Sequence, residues 1–131
     1  MRKFPDSLIK PVKAMLSGVA GDASLEIELC SFALNGEEVD TSIRLEGIAI
    51  PSVSLASLKG LAFQFPVNPE PGYIDGSIYI EHAHHPVDIH HLSFAGSIVS
   101  VRGMLVFEHE GLDDYANTPF NLTVPVQSDG A

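Results

Sequence analysis

The chain has 131 residues, of which 45% are hydrophobic and 18% are charged, and its 17 acidic and 7 basic residues give a formal net charge of −10. This length and composition are typical of one globular domain with its own core, and they argue against a disordered chain. The acidic balance argues against binding to nucleic acid or to an anionic membrane, because both need clustered lysine and arginine. We therefore expect a single domain over residues 1–131.

Residues 1–21 are predicted to form a short amphipathic helix or an irregular arm. Apolar side chains recur there at helical spacing, at Leu8, Val12, Met15 (or Leu16) and Val19. Pro11 suits a first helical turn, and Gly18 or Gly21 would end the helix. We expect this segment to cover one end of a β core that extends over residues 24–126.

From Ser24 onward the apolar period changes to two, which indicates a half-buried strand with Glu26 and Glu28 on its outer face. Asn35-Gly36 is typical of a type I′ hairpin turn, since both residues tolerate a positive φ. In the return strand the apolar phase slips by one residue at Glu46-Gly47, so a β-bulge is predicted there.

Further short strands follow as far as the C-terminus. Their apolar positions are Leu61, Phe63 and Phe65, then Ile74, Ile78 and Ile80, then Leu92 and Phe94, then Val99, Val101, Leu105 and Phe107, and finally Phe120, Leu122 and Val124. Pro125 indicates that the last strand lies at a sheet edge. Seven to nine short strands predict an all-β fold, an antiparallel β-sandwich or small barrel with one short N-terminal helix.

Five histidines within ten residues are the most distinctive feature of the composition, at His82, His84, His85, His90 and His91. A turn at Pro86-Val87-Asp88 would pair His84 with His90 and His82 with Leu92. Directly opposed side chains in an antiparallel pair lie about 5 Å apart at Cβ. Three imidazoles would then share one face at the rim of the core.

Such a face suits a divalent metal, either tetrahedral zinc or octahedral iron, nickel or manganese. The predicted ligands are His82, His84 and His90, and Asp88 would be a fourth ligand or would orient one of them. The alternative is a polar hairpin tip without metal, because a change of one residue in register would separate these side chains.

The segment from Gly76 to Gly96 resembles the first motif of the cupin family. Gly76 is followed after five residues by His82-Ala83-His84, and after three more by Asp88, although the family has glutamate at that last position. The resemblance implies a metal held inside a β-barrel by His82, His84 and Asp88. It also implies His109 as the fourth ligand and a dioxygenase or isomerase activity, although the Pro-x-Gly that precedes this histidine in the family is absent here.

No nucleophile elbow or phosphate-binding loop occurs, and the catalytic residues, if there are any, stay unknown. Cys30 is the one cysteine, so no disulfide within the chain is possible, and a reducing, cytoplasmic location is expected. Residues 108–117 are expected to form an acidic loop around His109.

Three functions remain open on these observations. A non-enzymatic protein-interaction module, similar in size and charge to immunity or inhibitor proteins, is favoured, with a basic protein as its partner. A cupin-like metalloprotein is the alternative. The third is an assembly role, in which strand edges pair in a homodimer.

Overall fold

The computed structural model describes residues 2–108 and 115–129. The strands are β1 (Arg2–Lys3), β2 (Pro11–Val19), β3 (Asp22–Leu29), β4 (Phe32–Leu34), β5 (Glu37–Val39), β6 (Ser42–Ile48), β7 (Ala62–Gln64), β8 (Asp75–Ile80), β9 (Ala83–Ala95), β10 (Ile98–Leu105), β11 (Tyr115–Ala116) and β12 (Thr118–Ser128). The helical segments are a 3-10 turn, η1 (Asp6–Leu8), and α1 (Leu55–Leu58). Strands make up 61% of the structure and helices 6%.

Seven of these strands close into a barrel. Their order round the ring is β10, β12, β2, β3, β6, β8 and β9, and β9 pairs back to β10. Outside the ring, β7 adds to the C-terminal half of β9, β4 pairs with β5, and β1 pairs with β11. The all-β prediction is confirmed, and the architecture is the barrel rather than the sandwich.

Strict alternation along the strands fills the barrel with aliphatic side chains. On β3, Leu25, Ile27 and Leu29 point inward while Glu26 and Glu28 point to solvent. β12 repeats the pattern over eleven residues. A seven-stranded ring is narrow enough for such side chains to meet across its axis, so the interior is a packed core.

Two local predictions in the first half of the chain are confirmed. Asn35 and Gly36 have φ values of 52° and 81°, and Leu34 pairs with Glu37, which together describe a two-residue hairpin turn. In β6, Glu46 and Gly47 lie where the register to β3 shifts, and Gly47 has a φ of 70°. Both features are encoded by residues adjacent in sequence, which explains why they could be predicted.

The helix predicted within residues 1–21 is wrong for its longer part. The short N-terminal helix is only the 3-10 turn Asp6–Leu8, and Pro11–Val19 is strand β2, between β12 and β3 in the ring. Ala14 and Leu16 point inward, whereas Val12 and Val19 are exposed. The apparent helical period therefore mixed residues from both faces of a strand, and ring closure decided the conformation.

Strand β12 is also not the edge strand that Pro125 suggested. It lies between β10 and β2, and Pro125 pairs with Ile98 of β10. The ladder between β12 and β2 begins only at Val126, one residue after the proline. The missing N–H of Pro125 therefore falls where the ladder has not yet begun.

Two glycines allow the backbone of β9 to lie close to both of its neighbours in the ring. Gly76 of β8 pairs with Val87, and Gly103 of β10 pairs with Ile89. A Cβ atom at either glycine would overlap a backbone carbonyl oxygen of β9. Strand β9 can therefore pair with β8 through its first half and with β10 from Val87 onward, which is how the ring closes.

The N-terminal arm places Phe4 among aromatic rings at one end of the barrel. Phe4 is fully buried, with its centroid 5.1 Å from that of Phe107 in a stacked arrangement. It makes edge contacts with Phe32 and Tyr115, at 6.5 Å and 5.4 Å. The residues before β2 thus place an aromatic side chain in this cluster, whereas Pro11–Val19, in the same predicted segment, forms part of the barrel wall.

Candidate functional site

The histidine-rich hairpin turns at a different place from the one predicted. Its two-residue turn is Glu81-His82, with φ values of 53° and 65°, and Ile80 pairs with Ala83. Glutamate seldom adopts a positive φ, and Glu-His is not one of the dipeptides that two-residue hairpin turns prefer, so this pair carried no recognisable turn signal. The predicted turn at Pro86-Val87-Asp88 and the register derived from it are wrong.

Pro86 lies within β9 instead of at a turn. Ser77 pairs with Pro86. Hydrogen-bonded and non-hydrogen-bonded pairs alternate along an antiparallel ladder, and counting from Ile80–Ala83 beside the turn makes Ser77–Pro86 a non-hydrogen-bonded pair. Strand β8 therefore needs no N–H from the proline. The Pro86 carbonyl oxygen accepts a hydrogen bond from Val106 N at 2.9 Å.

The observed register separates the predicted ligands. His82 is exposed in the turn, and His84 pairs with Tyr79, their ring centroids 4.8 Å apart. His90 is exposed at a bulge in β9, since His91 pairs with Arg102 and Ile89 with Gly103. His90 follows His84 by six positions along β9, which corresponds to about 20 Å of extended strand.

The other two histidines of the run face different environments. His85 points into the barrel and is buried, with Nε2 3.2 Å from the carbonyl oxygen of Ile80 and its ring centroid 5.0 Å from that of Phe107. The carbonyl can only accept, so Nε2 carries the proton of this hydrogen bond. His91 faces outward, with Nδ1 accepting a hydrogen bond at 2.8 Å from the Gln64 side chain.

Asp88 lies on the outer side of β9, half-buried, opposite Met104. Partial burial disfavours its charged form and raises the pKa of this carboxyl above its ordinary value. Asp88 lines a small surface pocket of about 210 Å³ together with Asp75 and His84. His90, farther along β9, does not line this pocket.

The described residues contain no group of three or more histidine, cysteine, aspartate or glutamate side chains placed to hold a metal ion. His109, the fourth ligand implied by the cupin resemblance, lies outside the described residues, as does most of the predicted acidic loop. The metal site with zinc, iron, nickel or manganese stays a prediction, and the register that motivated it is not the one observed.

Tyr115 connects the two hairpin turns at this end of the barrel. The Asn35 side-chain amide donates hydrogen bonds to Tyr115 Oη at 2.9 Å and to Glu81 Oε1 at 3.0 Å. Tyr115 Oη in turn donates to Glu81 Oε1 at 3.3 Å. The carboxylate of Glu81 thus accepts two bonds while its backbone holds a left-handed conformation, so the network stabilises the turn.

Within the part of the chain that the structure describes, carboxylates are concentrated on the side of the barrel opposite to β10. The outward positions of β3 from Ser24 onward, those of β6 and β8, and Asp40, two residues before β6, form a surface that we call the acidic wall, whose carboxylates are Glu26, Glu28, Asp40, Glu46 and Asp75. The sequence identified the first two as an outer strand face. The other three join them only through the strand register.

Within the acidic wall, like charges face each other directly. Glu46 of β6 pairs with Asp75 of β8 in the ladder. Opposed like charges on adjacent strands destabilise a sheet. Elsewhere in the wall Arg44 Nε lies 3.9 Å from Glu26 Oε1, an exposed pair that offsets only one carboxylate.

Two surface grooves cross the acidic wall. One, of about 500 Å³, is bordered by Lys13 and Met15 of β2 and by Glu26, Glu28 and Glu46. The other, of about 490 Å³, contains Glu28 and Asp40 and ends at Tyr79 and His84. Tyr79 is 46% exposed and Met15 is 41% exposed. The wall therefore offers carboxylates beside apolar contact area.

The described helices are too short and too polar to cross a membrane. Comparison of the chain with protein-family models, with curated proteins and with solved structures found no match.

Proposed function

We propose that this protein is a non-enzymatic protein-interaction module that binds a basic protein partner through the acidic wall. The observation that carries the proposal is the direct opposition of Glu46 and Asp75 inside a wall of five carboxylates. A lysine or arginine of a partner would relieve this repulsion. Its contribution to the free energy of binding is therefore larger there than beside an isolated surface carboxylate.

The packed interior of the barrel supports binding of a partner protein on the outer surface. Inward positions of the ring strands carry apolar side chains, whereas the grooves that line the acidic wall are on the outer surface. Exposed Met15 and Tyr79 beside the carboxylates would supply the apolar contacts that interfaces enrich. We place the protein in the cytoplasm, where an exposed free thiol such as that of Cys30 stays reduced.

The test is affinity capture followed by quantitative binding of the captured partner. A triple variant, Glu26→Gln with Glu28→Gln and Glu46→Gln, should weaken binding about ten-fold or more, mainly through slower association. The binding of the unchanged protein should also weaken as salt is added.

A matched control removes the same charge elsewhere on the surface. Glu37, Glu38 and Glu70 are exposed and lie outside the acidic wall. Their replacement by glutamine should change the affinity by no more than about two-fold, which is less than 0.5 kcal/mol. Equal losses in the two triple variants would mean that net charge alone attracts the partner, and a protein that captures no salt-sensitive partner would refute the proposed function.

A further inference from the structure

The barrel has a second outer surface whose chemistry is opposite to that of the acidic wall. It is formed by β7, the C-terminal half of β9, β10 and β12, which are neighbours in the sheet. We call it the neutral wall, and its outward side chains include Gln64, His91, Ser93, Ile98, Ser100, Arg102, Met104, Asn121, Thr123 and Pro125. Along these four described strand segments no outward position carries a carboxylate, and Asp88 lies at the border.

This absence is unusual in a chain with 17 acidic residues. The centres of protein interfaces are depleted in lysine, aspartate, glutamate, serine and alanine, and they are enriched in arginine, methionine and aromatic residues. The neutral wall shares the depletion in carboxylates and lysine, with Arg102 as its one cation among the described strand segments and Met104 beside it, whereas its serines and alanine depart from that composition. Ile98, 42% exposed, adds apolar area at one end.

The register arranges these side chains in straight rows across the sheet. One row runs from Gln64 through His91 and Arg102 to Asn121. The next runs from Ala62 through Ser93 and Ser100 to Thr123, and the hydroxyls of Ser100 and Thr123 lie 3.3 Å apart. Hydroxyl and amide groups both donate and accept, so such a surface can be complementary to itself.

We infer that the neutral wall is the contact surface of a homodimer in which two copies pack wall to wall. Each copy carries a net charge of −10, so two copies repel wherever their carboxylates meet. The neutral wall allows close approach without such opposition, because β10 lies half-way round the ring from β3 and β6. A basic partner would instead be attracted to the acidic wall.

The area of the neutral wall limits the affinity of this dimer contact. The eight residues of β10 are about 27 Å long, and four strands are about 19 Å wide, which gives roughly 500 Å² per copy. A standard stable interface buries about 800 Å² per partner. The dimer is therefore weak and forms at high protein concentration, with two-fold symmetry and with both acidic walls facing outward.

Sedimentation velocity over a range from low micromolar to near-millimolar protein tests the inference. The unchanged protein should show a monomer–dimer equilibrium. Arg102→Glu and Ser100→Glu should each weaken dimerisation about ten-fold or more, because each puts a carboxylate from both copies inside the contact, where the carboxylate loses water and gains no cation.

Two variants on the acidic side of the barrel provide matched controls. Arg44→Glu makes the same charge change as Arg102→Glu, and Ser77→Glu, at an outward half-buried serine of β8, matches Ser100→Glu. These controls should leave the dimer constant within about two-fold, and circular dichroism should show all four variants folded.

Two results would overturn the inference. One is an unchanged protein that stays monomeric at every concentration, and the other is equal weakening by all four variants, which would reflect net charge. Loss of the dimer with intact, salt-sensitive partner binding would leave the proposed function standing, because that binding uses the acidic wall.

Discussion

Replacement of Gly103 by alanine tests the account of how the barrel closes. Gly103 lies in the interior of β10 with its Cα facing β9. By intrinsic conformational preference alone, alanine should stabilise a strand by about 0.5–1 kcal/mol relative to glycine. The structure predicts the opposite sign.

The reason is the position of the added methyl group. It would overlap the Asp88 carbonyl oxygen and lie 2.8 Å from Ile89 Cδ1. The isoleucine tip can rotate away, but the carbonyl belongs to the backbone of β9, which is held by β10 at Asp88 and by β8 at the adjacent Val87, so β9 itself must shift. Overpacking of this kind costs about 1–3 kcal/mol and more where backbone is displaced, and we expect a loss near 3 kcal/mol.

Thermal and urea unfolding followed by circular dichroism measure this loss. For a chain of this length each kcal/mol lowers Tm by about 3–5 °C, so Gly103→Ala should lower Tm by roughly 10 °C. Ser100→Ala, on the same strand but facing outward, is the control and should cost less than about 1 kcal/mol. An alanine at position 103 that leaves Tm unchanged or raised would show that β9 does not approach β10 as closely as described.

Three further substitutions test the histidine-rich hairpin and its surroundings. Tyr115→Phe should lower the free energy of unfolding by about 1–2 kcal/mol in urea titration, since it removes the hydroxyl that bonds Asn35 and Glu81; no loss would mean that this network does not support the two turns. His82→Gly should raise stability by about 0.5–1 kcal/mol, because glycine adopts a φ of 65° without strain, and a destabilised glycine variant would argue against the Glu81-His82 turn. Asp88→Asn should raise stability at neutral pH, because a carboxyl whose pKa is raised by burial costs stability when ionised. That gain should vanish as the pH falls below the ordinary carboxyl pKa, where Asp88 is neutral in both folded and unfolded states, and a gain that is constant with pH would contradict the assignment.

The sequence by itself determined the features that depend on adjacent residues. Alternation predicted the strands and their inward faces, Asn35-Gly36 predicted a hairpin turn, and the slip at Glu46-Gly47 predicted a bulge. In each case the local backbone preference and the burial pattern agree. The all-β class followed from the number and spacing of such segments.

Only the tertiary structure decided the conformation of Pro11–Val19 and the register of the histidine-rich hairpin. Pro11–Val19 lies between β12 and β3 in the ring, where it forms backbone hydrogen bonds with both neighbouring strands. These bonds override an apolar spacing that is compatible with either a helix or a strand. Glu81-His82 adopts a left-handed turn that glutamate disfavours, and Asn35 and Tyr115, distant in sequence, stabilise it through hydrogen bonds to the Glu81 carboxylate. Because the turn lies at Glu81-His82 and not at Pro86-Val87-Asp88, His84 and His90 fall on the same strand, β9, and do not face each other across the hairpin.

The two walls show the same division. Glu26 and Glu28 are visible as neighbours in sequence, but Glu46 and Asp75 face each other only because β6 pairs with β8. Arg102 joins Gln64 and Asn121 only because β7, β9, β10 and β12 are adjacent in the ring. Local sequence fixes which side of a strand a residue occupies, whereas long-range strand pairing, through ring closure, decides which residues it meets there.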